Sequence, residues 1–134
     1  MQVAAQAFEK RLVGLVHCAG VSMSQPFPTY LGDTIDRVRK MSEINWMGTY
    51  IVSALFADAV NERYEPEKMK NGEFWSTKEE RGVIINFSSI AGAQPASRIL
   101  GYSPGKAAVS AFSVALADFL GPSGEWALKL SKTS

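Results

Sequence analysis

A chain of 134 residues, 46% hydrophobic and 20% charged with a net charge of +1, suffices for one domain with a modest core. That balance gives no footing for nucleic acid or an anionic membrane surface, and no apolar run approaches the roughly 18 residues of a membrane span. One histidine and one cysteine make neither an internal disulfide nor a metal site, and MQVAAQAFEKR lacks the apolar centre of a signal peptide, so a reducing, cytoplasmic setting is expected.

Residues 2–11 predict the end of a helix, with Val3, Ala4, Ala7 and Phe8 on one face. Leu12–His17 is nearly continuous in apolar character and predicts a strand buried on both sides, as in a parallel sheet. Residues 21–32 carry Pro26, Pro28 and Gly32 and predict a loop; Asp33 or Thr34 can cap the next helix. From there Ile35, Val38, Met41, Ile44, Met47, Ile51 and Leu55 recur at intervals of three and four. They predict a long amphipathic helix to about Asn61. Gly48 inside it costs about 1 kcal/mol against Ala, which points to close packing there.

Residues 62–81 are rich in Glu, Lys and Arg, with Pro66, Asn71 and Gly72 as breakers. They predict a solvated insertion, pinned to the body by Phe74 and Trp75; a partner-binding loop is the alternative. Gly82–Ser88 predicts a second buried strand and residues 89–100 a loop. A helix is expected from about Tyr102 to Leu120, with Ala108, Ala111, Phe112, Ala115, Leu116 and Phe119 on its packing side. Pro104 is compatible because it falls in the first turn. Gly121-Pro122-Ser123-Gly124 ends the helix, and Trp126-Ala127-Leu128 can start a third strand. The whole reads as α/β, two or three parallel strands with flanking helices in a single domain over 1–134.

The chemistry-bearing residues cluster late in the chain. Tyr102 and Lys106 are four apart on the expected helix, on one face and roughly 6 Å apart at the backbone. A phenol with a pKa near 10 is a poor acid or base at neutral pH, and a neighbouring ammonium lowers that value. Such a pair can supply or remove the proton when a carbonyl is reduced or an alcohol oxidised. Ser89, thirteen residues before Tyr102, stands at the mouth of a strand and can donate a hydrogen bond to the same oxygen. Ligand chemistry in parallel α/β sheets gathers at the carboxyl ends of strands, where Cys18 also falls. Tyr-x-x-x-Lys alone is weak, since such pairs arise by chance on exposed helices.

The full constellation resembles the short-chain dehydrogenase/reductase family, classical type. His17-Cys18-Ala19-Gly20 is similar to that family's Asn-Asn-Ala-Gly segment, and Asn45 with Gly48 to its Asn-x-x-Gly. Gly82–Gly92 resembles the strand bearing the catalytic serine, and Tyr102 and Lys106 match Tyr-x-x-x-Lys. The resemblance implies a partial Rossmann-like, doubly wound parallel sheet and an NAD- or NADP-dependent oxidoreductase acting on a small alcohol or ketone. By the same resemblance Tyr102 is the general acid/base, and Lys106 lowers its pKa and binds the nicotinamide ribose. Ser89 polarises the substrate oxygen, and Asn45 completes a proton relay through a water. Cys18, Ala19 and Gly20 touch the cofactor through their backbone. Pairing into a homo-oligomer through helices about 33–61 and 102–120 is implied as well.

His17 and Cys18 replace the two asparagines, and a cysteine there, with an Arg-Gly-Val-Ile-Ile-Asn strand, is similar to type II 3-hydroxyacyl-CoA dehydrogenases. Gly105 stands where the family usually has serine, which is expected to loosen the turn that aims Lys106. The family's Gly-x-x-x-Gly-x-Gly turn, which binds the cofactor pyrophosphate at a helix N-terminus, has no counterpart in the sequence. The segment after Gly124 also departs from the pattern, so the chain is expected to be truncated at both ends and marginally stable or self-associating. A catalytically inactive fragment acting as an interaction or dimerisation module is the alternative function.

Overall fold

Apolar runs alternating with helical stretches place three strands side by side. The computed structural model describes residues 14–130. In it β1 (Gly14–His17), β2 (Gly82–Phe87) and β3 (Glu125–Leu130) form one parallel sheet in the order β1-β2-β3. The third strand therefore forms. The strand expected over Leu12–His17 is seen from Gly14 onward but is not buried on both sides: at the edge of the described sheet, Gly14 and Val16 are exposed and Leu15 and His17 half-buried. The helix expected over 2–11 lies outside the described residues. Register pairs Leu15 with Ile84 and His17 with Asn86. Because side chains alternate along a strand, Ile84 and Asn86 are buried on one face while Val83, Ile85 and Phe87 stand half-buried on the other.

The chain between β1 and β2 is helical for most of its length. A short 3₁₀ turn (Leu31–Thr34) leads into α1 (Ile35–Ser42), a π turn (Glu43–Met47) and α2 (Gly48–Tyr64). A short helix, α3 (Pro66–Asn71), precedes β2. After β2 come one turn of helix, α4 (Ile90–Ala93), and the long α5 (Tyr102–Leu120). The core lies between the sheet and the helices α2 and α5. Phe56, Ala57 and Val60 meet Ile84, Leu116 and Leu120, with Leu15 and Phe112 packed against them. Each large apolar side chain so buried contributes about 1.5–3 kcal/mol.

Both long helices turn inward a face that only partly matches the one expected; on α5 the expected Leu116 and Phe112 do pack in the core. Of the series from Ile35 to Leu55 only Met41 is buried; Ile35, Met47, Ile51 and Leu55 are exposed. The buried stripe is instead Met41, Asn45, Thr49, Ser53 and Ala57. The π turn explains the change: it takes up an extra residue, so side chains four apart line up through Asn45. Along α5 the buried side is Lys106, Val109, Ser113, Leu116 and Leu120, whereas Ala111, Ala115 and Phe119 are exposed. Polar groups can occupy these inner positions because they satisfy one another. Ser53 Oγ donates to Asn86 Oδ1 (3.3 Å), and Asn86 Nδ2 donates to Ser113 Oγ (3.2 Å), stitching α2, β2 and α5 together.

The stretch 62–81 is thus partly helical. Pro66 opens α3, and Gly72 closes it at φ 65°, the left-handed conformation that favours glycine. Phe74 does not pin the stretch, being 83% exposed, although Trp75 is half-buried. The anchor is Arg81, whose guanidinium bonds Glu65 (3.1 Å) and lies 4.8 Å above the Tyr64 ring. The Glu65 carboxyl, held by Lys68 and then by Arg81, titrates below its ordinary 4.5. Among the described residues, no helix is long and apolar enough to cross a membrane.

Candidate active site

Four segments converge where β1 and β2 end: Cys18–Val21, the π turn, Ser88–Gly92 and the first turns of α5. Asn45 sits in the π turn, whose wide ring is closed by the Gly48 N–H bonding the Glu43 carbonyl. Its side chain is fully buried and grips the backbone of Val21. Nδ2 donates to the Val21 carbonyl (2.7 Å), and the Val21 N–H donates to Oδ1 (2.8 Å). Its own carbonyl accepts the Thr49 hydroxyl at 2.7 Å. Asn45 thus fixes the path of the chain leaving β1 through its side chain.

Gly20 lies where that path passes Lys106. A Cβ there would stand 3.3 Å from Asn45 Oδ1 and 3.4 Å from Lys106 Nζ, so the bare Gly20 backbone passes close to the ammonium and a side chain there would crowd it. Cys18, Ala19 and Gly20 are exposed at the end of β1. Lys106 itself is 4% exposed, and its Nζ donates to the Phe87 carbonyl at 2.7 Å. Burial holds its pKa below the ordinary 10.5. Nζ is 5.9 Å from the centroid of the half-buried Tyr102 ring. The helix carrying both residues is continuous from Tyr102, and a Cβ on Gly105 would meet only Asn45 Cβ, at 3.9 Å. In the turn where loosening is expected, the Gly105 N–H reaches the Gly101 carbonyl at a long 3.4 Å.

The adjacent serines diverge, as neighbours in extended chain do. Ser88 turns inward and donates to the Lys106 carbonyl (2.7 Å), with Ser110 Oγ also at 2.7 Å. Ser89 is half-buried and caps α4, its oxygen accepting the Ala91 N–H at 3.2 Å. Its hydroxyl proton is bonded to no described residue, so Ser89 keeps its donor for a ligand. Ser88 is a site residue that sequence reasoning misses, although it anchors the backbone of Lys106; the tandem Ser-Ser after an apolar strand is its only signal.

Gly92 presses on the same turn of α5. A Cβ there would come within 2.8 Å of the Lys106 carbonyl carbon and 2.9 Å of the Ala107 nitrogen, both backbone atoms that cannot swing aside. Gly92→Ala is therefore expected to destabilise the chain by about 1–3 kcal/mol. Urea unfolding monitored by circular dichroism reads this directly, and an unchanged midpoint would show that α4 does not bear on α5.

His17 ends β1 on the helix side of the sheet, its Nε2 buried without a partner among the described residues. Burial, and then the charge of Lys106, hold its pKa below the ordinary 6.5. Protons then prefer the unfolded chain: stability is complete above pH 6.5 and is lost as pH falls through and below it. Thermal midpoints of the wild type are expected to drop between about pH 7 and pH 5, and to drop less in His17→Asn. Parallel curves would remove His17 as the cause.

Known proteins share this layout. Residues 1–124 match the family described as short chain dehydrogenase, and the chain belongs to that family. No curated protein matches the sequence. Among solved structures, 4-hydroxyisoleucine dehydrogenase complexed with NADH is similar at TM-score 0.72 and 18% identity, covering 97% of this chain and 48% of that one. A gluconate 5-dehydrogenase from Burkholderia cenocepacia J2315, in complex with NADP and tartrate, gives 0.74 and 19%, covering 96% and 43%. Sorbitol-6-phosphate 2-dehydrogenase from Erwinia amylovora gives 0.69 and 23%, covering 97% and 43%. At these identities the likeness is one of fold, a partial Rossmann-like α/β unit, and the chain spans less than half the length of each.

Proposed function

We propose that the chain is an NAD- or NADP-dependent oxidoreductase that interconverts a hydroxyl and a keto group on a small molecule. Tyr102 would be its general acid/base, and residues 1–134 would form a single partial domain. The observation that carries this reading is the approach of the Lys106 ammonium both to the Tyr102 ring and to the bare Gly20 backbone beyond the end of β1.

The exposed stretch from Cys18 to Gly20, with the ammonium beside it and no side chain at Gly20 to cover it, fits the nicotinamide ribose end of a cofactor. When bound, the nicotinamide would supply or accept the hydride. Lys106 spends one N–H on the Phe87 carbonyl, and an ammonium has two more for ribose hydroxyls. Tyr102 would give its phenolic proton to the carbonyl oxygen in reduction and take the hydroxyl proton in oxidation, with Lys106 steadying the oxyanion. Ser89 would hold the same oxygen through its free donor. Asn45 would serve the site by fixing Val21 and the Gly20 peptide, with a water relay through its carbonyl as a further role.

The test is consumption of NADH or NADPH by the purified chain across a panel of ketones that includes a 3-ketoacyl-CoA, the substrate type suggested by Cys18 and the Arg81–Asn86 strand. Cofactor-dependent turnover of any member supports the reading. Absence of turnover with both cofactors across the panel contradicts it.

A pairing role is favoured by one separate observation. The outer faces of α2 and α5 expose Ile51, Leu55, Val114 and Phe119 (47%, 41%, 67% and 80%), and Phe119 also lines a cleft of about 900 Å³ between α2, α3 and α5. Exposed apolar surface of this kind suits a protein interface, and a homo-oligomer joined through these helices would cover it. Sedimentation of the chain as a monomer at all concentrations would contradict that pairing.

A further inference from the structure

Among residues 21–30 only Gln25 is buried, at 7% exposure; Met23 is half-buried and the rest of the loop is exposed. It spans to the loop that precedes α5. Its N–H donates to the Arg98 carbonyl (2.7 Å), and its Oε1 accepts the Leu100 N–H (3.1 Å). The two bonds bracket Ile99, whose carbonyl accepts the first inner N–H of the helix, that of Ser103 (3.0 Å). Gly101 is wedged against α1 immediately after: a Cβ there would come within 2.9 Å of Met41 Cε and 3.0 Å of Val38 Cγ2. Tyr102 is the next residue.

We propose that Gln25 is a positioning residue that holds the Arg98–Gly101 segment and so fixes where Tyr102 stands relative to Lys106. The inference rests on the reading of Tyr102 as the acid/base, and it adds a residue outside the site that sets its geometry. Leu100 is two residues from Tyr102, so a peptide shift there is carried directly into the ring. The α1 wedge at Gly101 limits movement from one side only. Gln25 limits it from the other, through an acceptor that no other described residue replaces at the Leu100 N–H.

The experiment uses the full chain labelled with 3-fluorotyrosine, which has four sites, Tyr30, Tyr50, Tyr64 and Tyr102; the Tyr102 ¹⁹F signal is assigned by its loss in Tyr102→Phe. Gln25→Met keeps the length and removes the acceptor; Gln25→Glu keeps the acceptor. Gln25→Met is expected to shift or broaden the Tyr102 signal with those of Tyr50 and Tyr64 unmoved, and Gln25→Glu to restore it. Turnover should show kcat reduced by about tenfold or more, with KM little changed, in Gln25→Met and recovered in Gln25→Glu. An unmoved Tyr102 signal in Gln25→Met overturns the proposal. Loss of all tyrosine dispersion in both variants overturns it too, since Gln25 would then be a folding residue. If the wild type does not turn over, the oxidoreductase reading fails, and the fluorine signals still decide whether Gln25 positions Tyr102.

Discussion

Tyr102→Phe is expected to lower cofactor-dependent turnover by about 10²–10⁴-fold while leaving the fold intact. The phenolic oxygen is the only atom removed. No described residue hydrogen-bonds it, so its loss orphans nothing, and the stability change should stay within about 0.5 kcal/mol. The ring, its packing and its distance to Lys106 all remain. A large fall in kcat at unchanged unfolding midpoint is therefore the signature of a group acting on the proton. Retained turnover would refute Tyr102 as the acid/base, whatever the rest of the site does.

Lys106→Met is expected to separate stability from function as well, though less cleanly. Methionine keeps most of the buried stem and removes the charge. The bond to the Phe87 carbonyl is lost, which costs about 1.5–3 kcal/mol for a charged donor. Relief of a buried cation offsets that loss, so stability at neutral pH should change by about 1 kcal/mol or less. Turnover should fall by about 10²-fold or more, as when one donor to a developing oxyanion is removed. The pH dependence gives a further mark. The folded-state pKa of Lys106 lies below 10.5, so in the window between the two values the unfolded chain holds more protons and wild-type stability rises with pH. Below the folded-state value the burial cost is present in full. Lys106→Met should lack that rise. A variant that unfolds at neutral pH would show that the ammonium is foremost a structural strut.

Element boundaries are more legible in this sequence than the directions in which the elements face. The span Tyr102–Leu120 is marked at both ends, by Pro104 in the first turn and by Gly121-Pro122 after the last, and the helix observed has those bounds. The spacing of Ser89, Tyr102 and Lys106 depends only on chain geometry, so the approach of Tyr102 to Lys106 can be read directly. Packing faces cannot. Ser53, Asn86 and Ser113 are polar in sequence and lie fully or almost fully buried because each supplies what the next one needs. A rule that sends apolar residues inward finds Leu116 and Phe112 on α5 but misses the polar stripe that faces the sheet. The π turn at Glu43–Met47 has no composition signal, yet it rotates everything after it. Pro66 reads as a breaker in sequence, although at a first helical position proline starts a helix. Gln25 leaves no pattern in the sequence, and Ser88 only the tandem Ser-Ser, because their partners include backbone groups distant along the chain.

Titrating the chain into NADH and following cofactor fluorescence, with Lys106→Met in parallel, tests most directly whether the Gly20 backbone beside Lys106 receives a nicotinamide cofactor. A saturable change in the micromolar range is expected, weakened at least tenfold in the variant, about 1.4 kcal/mol of binding free energy. The absence of saturation at millimolar concentrations, or equal binding by both proteins, would contradict it.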